Sequence, residues 1–408
     1  MSVIATASSA HQRTFDDQHY HETTWTPGEE PRRRCLRVIT RLCRSEWHFT
    51  IAFEGSLHED GRVRVAKAQR RQDLADLYAC LDFDSLQLKN DTVTEILIKR
   101  AGDSTPPVYE NDLAYPNRAL PLTALPNLNS EYAHCHADLR FCVREDPRHV
   151  RYPALHPQLS TKDISEITNI QQLSSGVYEA EVICCNERVV FKGIDRPLYE
   201  PRDSQVLYQE LENLRQVQGA YGIVGLVAAV VSQNPYQTIK DAKTPTVLRG
   251  ILVDFHPNGT LENALKNASK YGAMIWHKWA LQISQALHCL HQHGIRHMDL
   301  KPTNIVISAK FDAIIIDISG IGGTTREWLA PEMLDLLEPW SADGLSQVQN
   351  DIWALGQILM CMAQASFDKL ENSPLLPIAK GMTTRIPSLR TGLPAAVAAL
   401  SCIPSLAT

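Results

Sequence analysis

The sequence predicts an α+β protein in which a small mixed α/β domain precedes a larger α+β one. Three observations carry this reading: short β-branched runs of strand length, intervening segments with apolar residues at helical spacing, and a Pro-rich stretch over residues 104–164 that parts the two halves. The chain has 408 residues, 44% of them apolar and 21% charged, which is enough to fill two or three cores and unlike a collagen, a coiled coil or a disordered chain. A net charge of -6 gives no global field toward nucleic acid or anionic membrane, so neither partner is expected.

Residues 1–45 read as a poorly ordered lead-in, polar and broken by Pro27, Gly28 and Pro31. The run Arg32, Arg33, Arg34 is short enough to read as solvated surface. The small domain spans 46–103. Its expected elements are a hairpin of 48–53 and 62–66 about a turn at 58–61, a helix over 72–83 with Leu74, Leu77, Tyr78 and Leu81 on one face, and a strand over 93–98. In the linker region 104–164, Pro106, Pro107, Pro116, Pro121 and Pro126 mark loop chemistry.

No apolar run reaches the length of a membrane span, and the first ten residues lack the charged and apolar regions of a secretory signal. A cytoplasmic or nuclear location with reduced thiols is therefore expected. The ten cysteines show no Cys-x-x-Cys spacing, and Cys184 and Cys185 should face opposite sides of a strand. His134, Cys135, His136 and Cys142 cluster but lack the paired spacing of a zinc finger, so no zinc site is read there.

Residues 165–408 form the larger domain. Strands are expected at 189–191, 251–255, 305–307 and 314–316, and helices at 207–217 and 276–291. Periodicity alone leaves the topology open. The segment His297, Met298, Asp299, Leu300, Lys301, Pro302, Thr303, Asn304 leads into a β-branched run, and a second run ends at Asp317. This segment resembles the catalytic loop of eukaryotic protein kinases, with Lys two and Asn five residues after the Asp. Further resemblances keep the family order: Val189 to Lys192, Glu210 on a following helix, Ile251 to Leu261 as a hinge, Ala330-Pro331-Glu332, and Asp351-Ile352-Trp353 with Gly356.

The resemblance implies a bilobal protein-kinase-like fold of the serine/threonine type, with a β-rich N-lobe over 165–253 and a helical C-lobe over 257–408. It implies ATP and Mg²⁺ as cofactors and transfer of the γ-phosphoryl group to a Ser/Thr hydroxyl of a protein substrate. Asp299 would orient the acceptor hydroxyl, Lys301 would neutralise the transferring group, and Lys192 would grip phosphates while paired with Glu210, preferred over Glu212. Asn304 and Asp317 would hold Mg²⁺ through oxygen. Ser174 and Gly176 would cover the nucleotide, with Val253 as gatekeeper and the backbones of Asp254 and His256 at the base.

Departures from the family pattern motivate the alternative of a pseudokinase that binds partners with weak or no turnover. Only Gly176 remains of three loop glycines, with Ser174 and Glu179 at the other two positions, and Glu179 would set negative charge near phosphates. Met298 replaces the arginine that reads a phosphorylated activation loop, and Ile318-Ser319 replaces Phe-Gly. Only 12 residues separate Asp317 from Ala330, and 92 run from Asp317 to the last residue, so a short activation segment and few C-lobe helices are expected. Arg385 and Arg390 are both candidates to pair with Glu332.

Overall fold

A computed structural model describes residues 13–15, 20–23, 26, 28–42, 45–102, 118–155, 159–183, 186–194, 199–239, 245–366 and 370–403. Cys184 and Cys185 and the first ten residues lie outside the described residues. The chain divides into two compact units, residues 1–149 with 233–245 and residues 150–232 with 246–408.

The first unit is a six-stranded sheet of β1 (Arg13–Phe15), β2 (His21–Thr23), β3 (Arg33–Leu42), β4 (Ser45–Glu54), β5 (Val93–Arg100) and β6 (Leu139–Glu145). One helix, α1 (Lys67–Ala79), contributes Leu74, Leu77 and Tyr78 to a core shared with Phe49, Ile51, Phe53, Ile96 and Ile98. Their three-to-four spacing on the helix and two-residue spacing on the strands explain why these faces meet. Strand β4 pairs with β3 and runs parallel to β5, so the expected hairpin with 62–66 does not form. Arg62, Val63 and Arg64 are all exposed, and a segment with no face to bury gains nothing from joining the sheet.

The domain limits change accordingly. Residues 33–42, placed in the loose lead-in, are an internal strand, and residues 139–145, placed in the linker, are the last strand of the same sheet. The arginine run is not surface either: Arg33 and Arg34 are 1% and 0% exposed. Arg33 is held between Glu54 and Glu95, carboxylates far away in sequence, which satisfy its buried charge. Residues 233–245 also belong to this unit. Thr238 donates from its backbone N–H to Asp91 Oδ1 at 3.0 Å, and Asn234 Nδ2 to the Asp91 carbonyl at 2.8 Å.

The second unit opens with a sheet ordered β7 (Thr161–Asp163), β11 (Leu226–Gln233), β12 (Thr246–Asp254), β10 (Glu187–Gly193), β9 (Val177–Val182), β8 (Ile167–Ser174). Helix α2 (Pro201–Gln216) belongs to this lobe. It starts at a proline, which has no N–H to leave without an acceptor, and the Glu200 N–H donates to Asp203 Oδ2 at 3.1 Å. The remainder is helical: α3 (Leu261–Lys266), α4 (Ala273–Gln292), α5 (Gly344–Ser366), α6 (Leu375–Met382) and α7 (Leu393–Ser401), with the small ribbon β13 (Ile305–Ile307) and β14 (Ala313–Ile315). This is the bilobal α+β architecture that the resemblance implied. Trp276, Trp279, Ile283, Leu287 and Leu290 of α4 pack with Ile352, Leu355, Ile358 and Leu359 of α5 in one core. Among the described residues no helix is long and apolar enough to cross a membrane.

Candidate active site

The hairpin between β8 and β9 turns at Ser175 and Gly176, where Gly176 adopts φ +72°. Glu179 does not line the cleft at the phosphate end: its carboxylate pairs with Arg188, whose guanidinium lies 4.3 Å from the centre of the Phe255 ring. The charge that the sequence placed beside phosphates is thus neutralised elsewhere.

Strand β10 carries Lys192 and α2 carries Glu210, and Lys192 Nζ donates to Glu210 Oε1 at 2.5 Å. Glu212 instead pairs with Arg215 on the outer side of the helix. Lys192 Nζ also reaches Asp317 Oδ1, so one buried ammonium joins two carboxylates. Burial weighs against the lysine charge, but Asp317 and Glu210 outweigh it and hold the ammonium above the ordinary lysine range. Burial likewise opposes the Asp317 charge, and Lys192, His297 and Lys301 hold that carboxyl below its usual range.

The loop bearing Asp299 is fixed from beneath by α5. Asp351 accepts from the backbone N–H groups of His297 and Met298, both at 2.8 Å, and His291 Nε2 lies 2.8 Å from the same carboxylate. Asp299 Oδ2 receives Lys301 Nζ at 2.6 Å and Asn304 Nδ2 at 3.2 Å, while Asp299 Oδ1 is buried with no partner among the described residues. An acceptor oxygen held in this state suits a donor arriving from outside the chain. Asn304 also donates to the Asp299 carbonyl at 2.9 Å, which leaves its Oδ1 as the ligand it can offer.

These groups surround a cavity of about 420 Å³. Ser174, Gly176, Lys192, Glu210, Asp299, Lys301 and Asp317 all line it, whereas Val253, Asp254, His256 and Asn304 do not. Val253 is buried at the end of β12, and the Asp254 N–H donates to the Gly225 carbonyl at 3.1 Å. Burial lowers the pKa of His256, with Asp254 opposing. Four expected site residues therefore stand outside the cavity that gathers the other seven.

Three contacts here carried no signal in the sequence motifs. Lys301 Nζ donates to Thr325 Oγ1 at 2.7 Å, tying the segment after Asp317 to the Asp299 loop. Asn213 Nδ2 donates to the Ile318 carbonyl at 2.6 Å, and Ser319 Oγ accepts from the Gly322 N–H at 3.0 Å. The serine at the family's glycine position thus closes a tight turn, and Gly320 takes the left-handed conformation one residue later at φ +74°. Arg390 proves to be the partner of Glu332, at 2.5 and 2.7 Å through two nitrogens.

Comparison with known proteins agrees with this architecture. Residues 171–374, half of the chain, match the family described as protein kinase domain, and the chain belongs to that family. It is similar to a probable serine/threonine-protein kinase of Dictyostelium discoideum, 35% identical over 21% of this chain and 6% of that protein. A MAP kinase kinase of Saccharomyces cerevisiae is 28% identical over 33% of this chain and 23% of the relative. A mitogen-activated protein kinase of Cochliobolus heterostrophus is 27% identical over 52% of this chain and 56% of the relative. Each match spans less than two thirds of the relative's own length.

Proposed function

We propose that the chain is an ATP-dependent protein kinase that uses Mg²⁺ and transfers the γ-phosphoryl group to a serine or threonine hydroxyl of a protein. The observation that carries this reading is the buried, unpartnered Oδ1 of Asp299 in the same cavity as Lys192 and Asp317. The donor set fits the cofactors: Asp317 in the cavity and Asn304, hydrogen-bonded to Asp299 just outside it, would offer the hard oxygen ligands that suit Mg²⁺, and Lys192 and Lys301 offer cations for phosphate oxygens. Bound Mg²⁺ supplies neutralisation of phosphate charge. Asp299 accepts a hydrogen bond from the substrate hydroxyl through Oδ1, orients it and takes its proton, with Lys301 keeping the carboxylate in place. Lys192 binds phosphate oxygens, and Glu210 fixes the lysine's approach from α2.

The reading is tested by Mg²⁺-dependent transfer of label from [γ-³²P]ATP, on the protein itself and on generic Ser/Thr substrates, beside Lys192→Met. Transfer lost in the variant supports the proposal; transfer that survives it contradicts the role of Lys192. A second reading, a pseudokinase acting as a binding module, is favoured by the nucleotide-covering turn, which keeps Gly176 alone of three loop glycines. ATP binding without transfer would select it.

A further inference from the structure

The first unit contains an unusual cluster outside the kinase cleft. Glu30, His58 and Glu131 bring one ligand atom each to within 4.8 Å of one another, the one such group of three among the described residues. His58 Nε2 lies 3.1 Å from Glu131 Oε1 and 3.5 Å from Glu30 Oε1. Two ligands of a four-coordinate Zn²⁺ at ordinary bond lengths stand about 3.4 Å apart, so these separations need little adjustment.

The two carboxylates are also left incomplete. The side chains of Glu30 and Glu131 are only 4% and 6% exposed, yet Glu30 Oε1 and Glu131 Oε2 accept no hydrogen bond among the described residues. The rest of Glu30 is firmly placed. Its Oε2 receives Ser56 Oγ at 2.8 Å and the Leu57 N–H at 2.6 Å, and its own N–H donates to the Gly61 carbonyl at 2.7 Å. The Glu131 N–H donates to Asp73 Oδ2 at 3.2 Å. The contacts to Glu30 Oε2 orient that carboxylate while leaving Oε1, the oxygen 3.5 Å from His58 Nε2, free.

We propose that Glu30, His58 and Glu131 form a site for a divalent transition cation of the Zn²⁺ class, joining the segment before β3, the loop after β4 and the segment before β6. The nitrogen ligand and the borderline-hard oxygens favour Zn²⁺ over Mg²⁺ or Ca²⁺, which take oxygen alone. Arg34 Nη2 lies 3.4 Å from Glu30 Oε2, on the oxygen turned away from His58, so guanidinium and cation share the carboxylate from its two sides. The competing arrangement has no ion and keeps the direct contact of His58 Nε2 with Glu131 Oε1 at 3.1 Å. The site is independent of the kinase reading, because none of its residues belongs to the second unit.

The test uses the full chain freed of metal with a chelator. Zn²⁺ is titrated by calorimetry and Co²⁺ by visible spectroscopy, on the wild type and on His58→Ala and Glu131→Gln, with circular dichroism showing that each variant folds. The proposal predicts about one Zn²⁺ per chain lost on either substitution, a weakening of about 100-fold or more. It also predicts the visible bands of four-coordinate Co²⁺ without the thiolate charge-transfer absorption that a cysteine site would give. Equal Zn²⁺ binding by wild type and both folded variants, a thiolate spectrum, or no binding at all would overturn it and leave the direct contact of His58 with Glu131. If His58→Ala fails to fold, Glu131→Gln decides by the same criteria.

Discussion

The side-chain amide of Asn213 donates to the Ile318 carbonyl at 2.6 Å and to the Ser319 carbonyl at 3.4 Å. Glu210 stands one turn earlier on the same helix and holds Lys192. Helix α2 therefore grips both sides of the cleft, the lysine strand through Glu210 and the segment after Asp317 through Asn213.

Asn213→Ala should leave two buried carbonyls short of a donor, a cost of about 1–3 kcal/mol. Because those carbonyls adjoin Asp317, MgATP affinity should fall by more than the thermal stability alone would require at saturating folding conditions. Calorimetric binding and melting, measured on the same samples, check this. Unchanged affinity in a folded variant would show that Asn213 only supports the fold.

Met298 adopts φ +64° and is 1% exposed, packed with Leu329, Ala330 and Met333 at the end of the activation segment. An apolar contact fills the position where the family holds an arginine that reads a phosphate. Met298→Arg should destabilise the protein by about 2–4 kcal/mol, since it buries an unpaired charge. Activity that depends on activation-loop phosphorylation in this variant would contradict the packing account. Chemical denaturation and a phosphatase-treated activity assay distinguish the outcomes.

Arg390 and Glu332 close the C-terminal part of the helical lobe. Burial opposes the Glu332 charge, but Arg390 outweighs it and holds the carboxyl below its usual range. A depressed carboxyl pKa stabilises the fold above its unfolded value, and this contribution disappears as pH falls through the folded value. Glu332→Gln should therefore cost about 2 kcal/mol near pH 7, with the gap to wild type closing below about pH 4. Melting curves across that range test it, and a gap independent of pH would contradict it.

Gly320 has φ +74°, and a Cβ there would stand 2.5 Å from the Arg296 carbonyl oxygen. Gly320→Ala should cost about 1–3 kcal/mol and disturb the turn after Asp317. Ser319→Gly removes only the hydroxyl contact to Gly322 and should cost less. The order of the two melting temperatures is the check.

Contiguous motifs were the most legible part of the sequence. The spacing of Asp299, Lys301 and Asn304, and the order of Lys192, Glu210 and Asp317, led directly to groups that the fold brings near one another. Contacts across the sheet were harder to read: Glu179 pairs with Arg188 on the neighbouring strand, which no local motif signals. Long-range pairing was not legible. The burial of Arg33 depends on Glu54 and Glu95, and the choice of Arg390 over Arg385 depends on where the last helices pack. The attachment of residues 233–245 to the first unit rests on Asp91, more than a hundred residues earlier, and leaves no local periodic signal.

The most direct test of the central claim is the rate of γ-phosphoryl transfer by Asp299→Asn beside wild type, with the MgATP dissociation constant measured on both. The orphaned Oδ1 of Asp299 predicts a loss in transfer of about 10²–10⁴-fold, with affinity changed by less than about tenfold, because the lost group orients the acceptor and does not hold the nucleotide. Equal transfer by the two proteins would contradict the assignment of Asp299.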